Sequence, residues 1–406
     1  MNKKTALALA VGALFTTPAL AQSTVEIYGR LYPQINWQKA SGASEPGDVT
    51  ATLVAGAGEV DGDHKGRASV DVANSRLGFR GREQLGGGMS AIWQIEQRVR
   101  FDTGAGTWAG ARNSFVGLSG GFGTVKLGQM DTIFKEYGAV VGSFFGVSSG
   151  NVVASSAILP NHGLGLEGGT ESDDTGFHIR ASSTIQYETP EFGGFQAGIQ
   201  YAPDEAKGNP GREGLNTNLW SFGVKYEAGP LYASIQHERH NDWFDASANV
   251  VVPSTATESK DHATRLSVGF AVTPQHKITG DIAQMEWKES GHTSAAAGQF
   301  EKYKKRTWAV GWEARWGGPW RSEITYTKGL EGDCELTGGV DCDTDGLDGH
   351  MIAAGVAYAF SKRTLVYALA TKLTNGDSAQ FSQTANFDPN RGADATTFSL
   401  GVSHSF

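Results

Sequence analysis

The chain has 406 residues, of which 39% are hydrophobic and 19% charged, with 55 glycines, and 43 acidic against 34 basic side chains give a formal charge of −9. The acidic balance has the wrong sign for bulk nucleic-acid binding, so no nucleic-acid partner is expected. Abundant aromatic residues argue against disorder, the absence of a Gly-X-Y period excludes collagen, and no later run of eighteen apolar residues could form a membrane-spanning helix.

The chain begins with Met1-Asn2-Lys3-Lys4, an apolar stretch from Ala6 to Phe15, and Ala19-Leu20-Ala21, an A-x-A cleavage site. These are the three parts of a secretory signal peptide, so residues 1–21 read as removed and Gln22 as the first residue of one mature domain, 22–406. Losing Lys3 and Lys4 leaves 32 basic groups against 43 acidic, a charge of −11. Export also implies an oxidising compartment. Cys334 and Cys342 are the only cysteines and sit in a Gly- and Asp-rich stretch. A local disulfide stapling one loop is the natural reading.

From Thr24 onward the dominant period is two. Apolar and polar or small residues alternate in Val25–Leu31, Ala91–Glu96, Trp220–Glu227, Trp308–Glu313, Ile352–Phe360 and Phe398–Phe406. Segments of about ten residues suit tilted strands crossing a bilayer. Short links occur at 85–88, 119–123, 190–194, 228–230, 273–275, 316–319 and 361–363, and longer polar ones near 39–66, 102–111, 130–179, 202–217, 240–262, 289–304, 328–350 and 373–395. Seven short and eight long links join sixteen strands. The expected fold is therefore all-β: a transmembrane antiparallel 16-stranded barrel with short turns at the periplasmic end and long loops outside. Lipid leaves no partner for an open sheet edge, so the sheet must close, and sixteen strands enclose an aqueous channel. A wall that is greasy on one face only can be 39% hydrophobic and still span a membrane.

Val25–Arg30, Ser75–Gly81 followed by Glu83–Gly88, Gly123–Gly128, Tyr187–Phe195, Ser361–Thr364 and the terminal Phe406 form a set of segments spread over the mature chain. Together they resemble the general porins of gram-negative bacteria, which are trimeric, 16-stranded barrels. The resemblance implies an outer-membrane location in a gram-negative bacterium, a homotrimer in outer-membrane lipid, and Phe406 as the signal read by the outer-membrane assembly machinery. It also implies that a long third loop, here about 130–179, folds into the lumen and sets acids against a basic wall. Gln129 stands where such porins often carry an arginine.

Strand parity places Glu26, Tyr28, Arg30 and Tyr32 on the lumen face of the first strand. It places Arg76, Gly78, Arg80 and Arg82 there on the second, and Ile92, Gln94, Glu96, Arg98 and Arg100 on the third. Guanidinium groups remain charged at any working pH and do not face lipid cheaply, so the six arginines are candidates for the basic wall of a pore constriction. A duller reading has them pair with Glu26, Glu96 or loop carboxylates and merely stiffen the wall. The long third link offers Asp131, Glu136, Glu167, Glu171, Asp173 and Asp174 as the acidic side.

Asp341-Cys342-Asp343-Thr344-Asp345-Gly346 matches the start of a calcium loop, but Ile352 occupies the position of the closing glutamate. Asp341, Asp343 and Asp345 could hold a surface calcium or form a solvated acidic loop; no other cofactor is suggested. No His-Glu-x-x-His, Gly-x-Ser-x-Gly or phosphate-binding loop is present. The function these features favour is not enzymatic. It is passive diffusion of small hydrophilic solutes and ions, leaning to anions through the arginines. The alternatives are a channel selective for small organic anions, a barrel enzyme, and a soluble β-rich binding protein. Ser403 and His404 are adjacent on a strand and point to opposite faces, which argues against the enzyme. A soluble protein would leave the aromatic strand ends unexplained.

Overall fold

A computed structural model describes residues 24–44, 63–72, 74–103, 108–138, 140–142, 154–163, 176–205, 215–243, 255–383, 387 and 389–406. The expected signal peptide, 1–21, lies outside these residues. Strands β1 (Thr24–Leu31), β2 (Gln34–Ser41), β3 (His64–Asp71), β4 (Arg76–Gly86), β5 (Met89–Val99), β6 (Trp108–Ala111), β7 (Ser114–Gly120) and β8 (Gly123–Asp131) form the first half of the chain. The long third link follows. Its described parts contain a helix, α1 (Ile133–Gly138), and a short 3-10 turn, Ser155–Ala157.

The remaining strands are β9 (Arg180–Glu188), β10 (Phe195–Ala202), β11 (Asn218–Ala228), β12 (Leu231–Asn241), β13 (Glu258–Thr273), β14 (His276–Ser290), β15 (Phe300–Arg315), β16 (Trp320–Gly329), β17 (Asp333–Leu336), β18 (Val340–Asp341), β19 (Gly349–Ala359), β20 (Thr364–Asn375) and β21 (Asp394–Ser405). Three staves are interrupted: β1 with β2, β3 with β4, and β6 with β7. The first break falls at Pro33, which has no N–H to give a ladder and whose carbonyl instead accepts from the Val402 N–H at 3.0 Å. The second is held by Ser75, whose hydroxyl donates to the Val72 carbonyl and accepts from the Tyr32 N–H at 2.8 Å. Counting each interrupted stave once, and leaving β17 and β18 as a loop hairpin, the barrel has the sixteen antiparallel strands expected.

Closure is made by the two ends of the chain. β1 pairs with β4 on one side and with β21 on the other, while β2 continues the pairing with β21. Beyond the last strand residue, Phe406 exchanges two backbone hydrogen bonds with Gly29, both 3.1 Å. A Cβ on Gly29 would come within 2.4 Å of the Phe406 ring, so the glycine makes room for the terminal aromatic on the outer face.

The hydrophobic pattern is inverted relative to a water-soluble protein. Val25, Ile27, Val116, Ile235 and Ile282 are among many large apolar residues exposed on the outside, whereas Gln34, Asn36, Gln186, Gln200, Ser221 and Asp281 are buried on the inside. A continuous apolar exterior is stable when acyl chains replace water. Aromatic pairs rim the band near the short turns: Phe195 with Tyr226, Trp312 with Trp316, Trp320 with Tyr358 and Tyr358 with Phe360. Those turns use glycine where φ is positive, as at Gly86, Gly87 and Gly88 (84°, 59° and 77°), so this triplet is a turn.

Some boundaries differ from the sequence expectation. The links expected near 240–262 and 289–304 are shorter, because β13 starts at Glu258 and β15 at Phe300. Here β13, β14 and β15 continue beyond the apolar band with polar residues outward. The 328–350 link carries the β17–β18 hairpin, which pairs through β17 with the start of β15. Cys334 and Cys342 form the expected disulfide across it, with Cα atoms 5.2 Å apart.

Candidate functional site: the lumen wall

The antiparallel register puts the arginines expected to face inward on three neighbouring strands. Arg80 lies opposite Glu26, and Arg76 lies between Arg30 on β1 and Arg98 on β5. Residues directly opposite in an antiparallel pair share a face, so these side chains stand together. Arg80 makes a bidentate ion pair with Glu26, at 2.8 and 2.9 Å, with both side chains about half exposed to the channel. Glu96 is buried, accepts from Arg112 Nε at 2.5 Å and Tyr28 Oη at 3.0 Å, and forms an ion pair with Arg76, whose Nε is 3.6 Å away. Arg30 has a different environment. Its Nε donates to Ser403 Oγ at 2.8 Å and its guanidinium lies 4.1 Å from the centre of the Tyr32 ring. Arg82 donates to Ser90 Oγ at 3.1 Å nearer the short turns.

The pairing of Arg80 with Glu26, and of Arg76 with Glu96, is the wall-stiffening arrangement also read from the sequence. It accounts for two carboxylates only. β5 ends at Val99, so Arg100 lies just past the ladder. Arg112 takes a place in the cluster that parity could not assign, because it sits in the break between β6 and β7.

The third link supplies the opposite side. Its described parts lie along lumen-facing residues from β9 to β16. The Phe134 N–H donates to Ser221 Oγ at 2.9 Å, Ser234 Oγ donates to the Tyr137 carbonyl at 2.9 Å, Thr307 Oγ1 to the Leu159 carbonyl at 2.5 Å, and Lys305 Nζ to the His162 carbonyl at 2.9 Å. Glycines on the wall leave space for this chain. A Cβ on Gly198 would lie 2.6 Å from Ile133 Cδ1, and one on Gly329 would lie 3.1 Å from Ile158 Cγ2. The strongest anchor is Arg265 on β13, fully buried, which pairs with Asp281 on β14 (Nε to Oδ1, 2.7 Å) and contacts His178 Nδ1 at 3.1 Å where the link returns.

Of the expected loop acids, Asp131 is bound on its own side by Arg180 Nη2 at 2.9 Å, Lys135 Nζ at 3.3 Å and Asn113 Nδ2 at 3.1 Å. It does not pair with Arg30, Arg76 or Arg80. Glu136 is near Gln186 Nε2, at 3.4 Å. Its side chain is wetted in the lumen yet enclosed by protein. This enclosure raises its carboxyl above the usual value, Glu188 and Asp131 add to the rise, and Lys126 opposes it. Glu167, Glu171, Asp173 and Asp174 lie outside the described residues. The sequence reading passed over inward lysines that the same parity would have found: Lys126, which meets Glu188 at 2.8 Å, and Lys225, 4.7 Å from the centre of the Tyr137 ring.

Of the acidic loop at 341–346, the Asp341 side chain lies outside the described residues, and the described carboxylates bond locally. Asp343 Oδ1 accepts from the Asp345 N–H at 2.9 Å, and Asp348 pairs with Lys328. Among the described residues no group of three or more His, Cys, Asp or Glu side chains is placed to hold a metal ion.

A closed barrel with a polar, charged interior and a segment fastened across part of its wall is a channel architecture. Comparison with known proteins agrees. The family model for the Gram-negative porin matches residues 6–378. Outer membrane porin protein 32 of Delftia acidovorans is 28% identical over 412 residues, covering 100% of both chains. Major outer membrane protein P.IB of Neisseria gonorrhoeae is 27% identical over 381 residues, covering 93% of this chain and 95% of the relative. The solved anion-selective porin from Comamonas acidovorans superposes with a TM-score of 0.68 at 24% identity, covering 95% of this chain and 100% of that one. This chain is a member of the Gram-negative porin family: an outer-membrane channel rather than an enzyme.

Proposed function

We propose that this porin favours small hydrophilic anions, and that its narrowest passage lies between the guanidinium wall of β1, β4 and β5 and the third link fastened to the opposite wall. The observation that carries this reading is the charge of the wall: among the described residues, Arg30, Arg76, Arg80, Arg82, Arg98 and Arg112 stand here, with Glu26 and Glu96 as the carboxylates of β1 and β5 that pair with them. The chain as a whole is acidic, but screening confines each surface charge to about 10 Å, so the local excess governs ions in the passage. The solved neighbour from Comamonas acidovorans, described as anion-selective, supports the same sign. Rings beside the guanidinium groups, Tyr32 by Arg30 and Tyr28 by Arg80 at 4.8 Å, also suit organic anions with a flat apolar part. In this reading the channel works without a resident metal, assembles as a homotrimer, and presents Phe406 to the outer-membrane assembly machinery.

Bilayer recording on the intact protein tests the proposal. The zero-current potential in a salt gradient should take the anion sign, shift further with small carboxylates, and conductance should appear in steps of three. A cation-signed potential would refute the selectivity.

Glu136 makes that selectivity depend on pH. A carboxyl held above its usual value takes up its proton earlier as pH falls, and the lumen then loses a negative charge. Anion preference should rise as pH falls toward the carboxylate range, beginning above the pH at which an ordinary glutamate takes up its proton. Glu136→Gln should start at the higher preference and lose most of this dependence. An identical pH profile in the variant would remove Glu136 from the passage.

A further inference from the structure

Beneath the third link, on the wall opposite the guanidinium cluster, the short-turn half of β11–β14 borders a cavity of about 390 Å³. Register sets its floor. Glu227 on β11 lies opposite Tyr232 on β12, and Tyr232 lies opposite Gly269 on β13. Lys225 stands one inward step nearer the third link, and Lys277 on β14 one step nearer the short turns, opposite Ala271. Glu136 of α1 closes the side facing the link. Gly269 keeps the floor open. A Cβ there would lie 2.9 Å from Lys277 Cε and 3.5 Å from Val140 Cγ1, so the missing side chain lets the lysine reach in beside the link.

Two charges of each sign line this cavity: Lys225 and Lys277, Glu136 and Glu227. Little of that charge is used within the protein. Lys277 has Glu313 only at 3.9 Å, and Glu136 has the neutral Gln186 at 3.4 Å. The Lys225 ammonium rests 4.7 Å from the centre of the Tyr137 ring. Among the described residues, Lys225 and Glu227 are in no ion pair. Tyr232 is fixed by its hydroxyl, which donates to the Tyr137 carbonyl at 2.6 Å, so its ring stands as a firm apolar surface between the charges. Two strand spacings, about 10 Å, separate the backbone of Glu227 from that of Gly269, over which Lys277 ends.

We propose that this cavity binds a small zwitterion of amino-acid or dipeptide size, with its carboxylate on the lysines, its ammonium on the glutamates and its aliphatic part on the Tyr232 ring. A plain anion meets the repulsion of Glu136 and Glu227, and a plain cation that of Lys225 and Lys277. Only a molecule that carries both signs uses all four groups, each through a charge-assisted hydrogen bond. Short turns mark the periplasmic end of such barrels, so the site holds an inward-moving solute just after the narrow passage. The proposal goes beyond the selectivity of the arginine wall and does not depend on its sign.

Saturation-transfer NMR on the full protein in detergent tests this, with alanylalanine, succinate and 1,4-diaminobutane as probes. Alanylalanine should bind the parent saturably. K225Q and E227Q, each still migrating as a heat-modifiable barrel, should each weaken its binding by about tenfold, the loss of one charge-assisted hydrogen bond. The two variants should also diverge, K225Q gaining affinity for the diamine and E227Q for succinate, which a merely structural role would not produce. Glutamine at Arg30, Arg76 and Arg80 together should weaken succinate and leave alanylalanine unchanged, so this site and the arginine wall are judged separately. No saturable alanylalanine signal in the parent, or parent-like affinity in both folded variants, would overturn the proposal. Should either variant fail to fold, K277Q, read the same way, decides the matter.

Discussion

Replacing Arg30, Arg76 and Arg80 together with glutamine is expected to move the zero-current potential toward cations, by about a tenfold change in the anion-to-cation permeability ratio. At about 8 Å from the centre of a water-filled passage, one unit charge contributes about 0.5 kcal/mol in a water-like dielectric. Three removed charges therefore change an ion's energy by about 1.5 kcal/mol, and salt screening takes back part of this. The substitution leaves Arg82, Arg98 and Arg112 against Glu26 and Glu96 and leaves Glu26 without its bidentate partner. Arg30 should contribute strongly as a single change, because its hydrogen-bonding partner is the neutral Ser403 rather than a carboxylate. The lysine triple at the same positions should keep the parent's sign. A glutamine triple with unchanged selectivity would show that the wall is structural.

The second large effect concerns the anchor beneath the third link. Arg265→Leu should release the link from the wall, raise single-channel conductance and increase current noise. Arg265 and Asp281 are both buried, and removing the cation alone leaves a carboxylate without a counter-charge. Broken buried pairs of this kind cost about 3–5 kcal/mol. The same substitution removes the contact to His178 and the guanidinium beside Phe134, 5.9 Å from its ring centre, so both the start and the return of the link lose an attachment. R265L/D281L should recover thermal stability, since the unpaired carboxylate is gone, but not the parent's conductance. If R265L unfolds in the membrane, Ser234→Ala combined with Thr307→Val removes two hydroxyl donors to the link and reads the same release at a milder cost of about 1 kcal/mol per hydrogen bond. Unchanged conductance in both variants would mean that the link does not limit the passage.

How much was legible beforehand follows from which forces are local. Alternation at Val25–Leu31 or Trp308–Glu313 reports two environments either side of one strand, and it needs no knowledge of the partner strand. For that reason the inward positions of Arg30, Arg76 and Arg80 were readable. Arg112 was not, since it lies in the break between β6 and β7, where the two-residue period fails. Lys126 and Lys225 were readable by the same parity, since each alternates with outward apolar neighbours. The extension of β13, β14 and β15 beyond the apolar band was hidden, as polar alternation above a membrane resembles a loop in composition.

The strand period, the sixteen staves, the alternation of short turns with long links and the disulfide loop are legible in the chain alone, because each depends on neighbours along it. The tertiary structure decided who meets whom: Glu96 between Arg76 and Arg112, Asp131 held by Arg180 and Lys135, and Arg265 with Asp281 under the third link. Register and loop path set these contacts, and both are fixed only when a closed sheet brings residues far apart in the chain within a few ångströms, where charge is no longer screened by water.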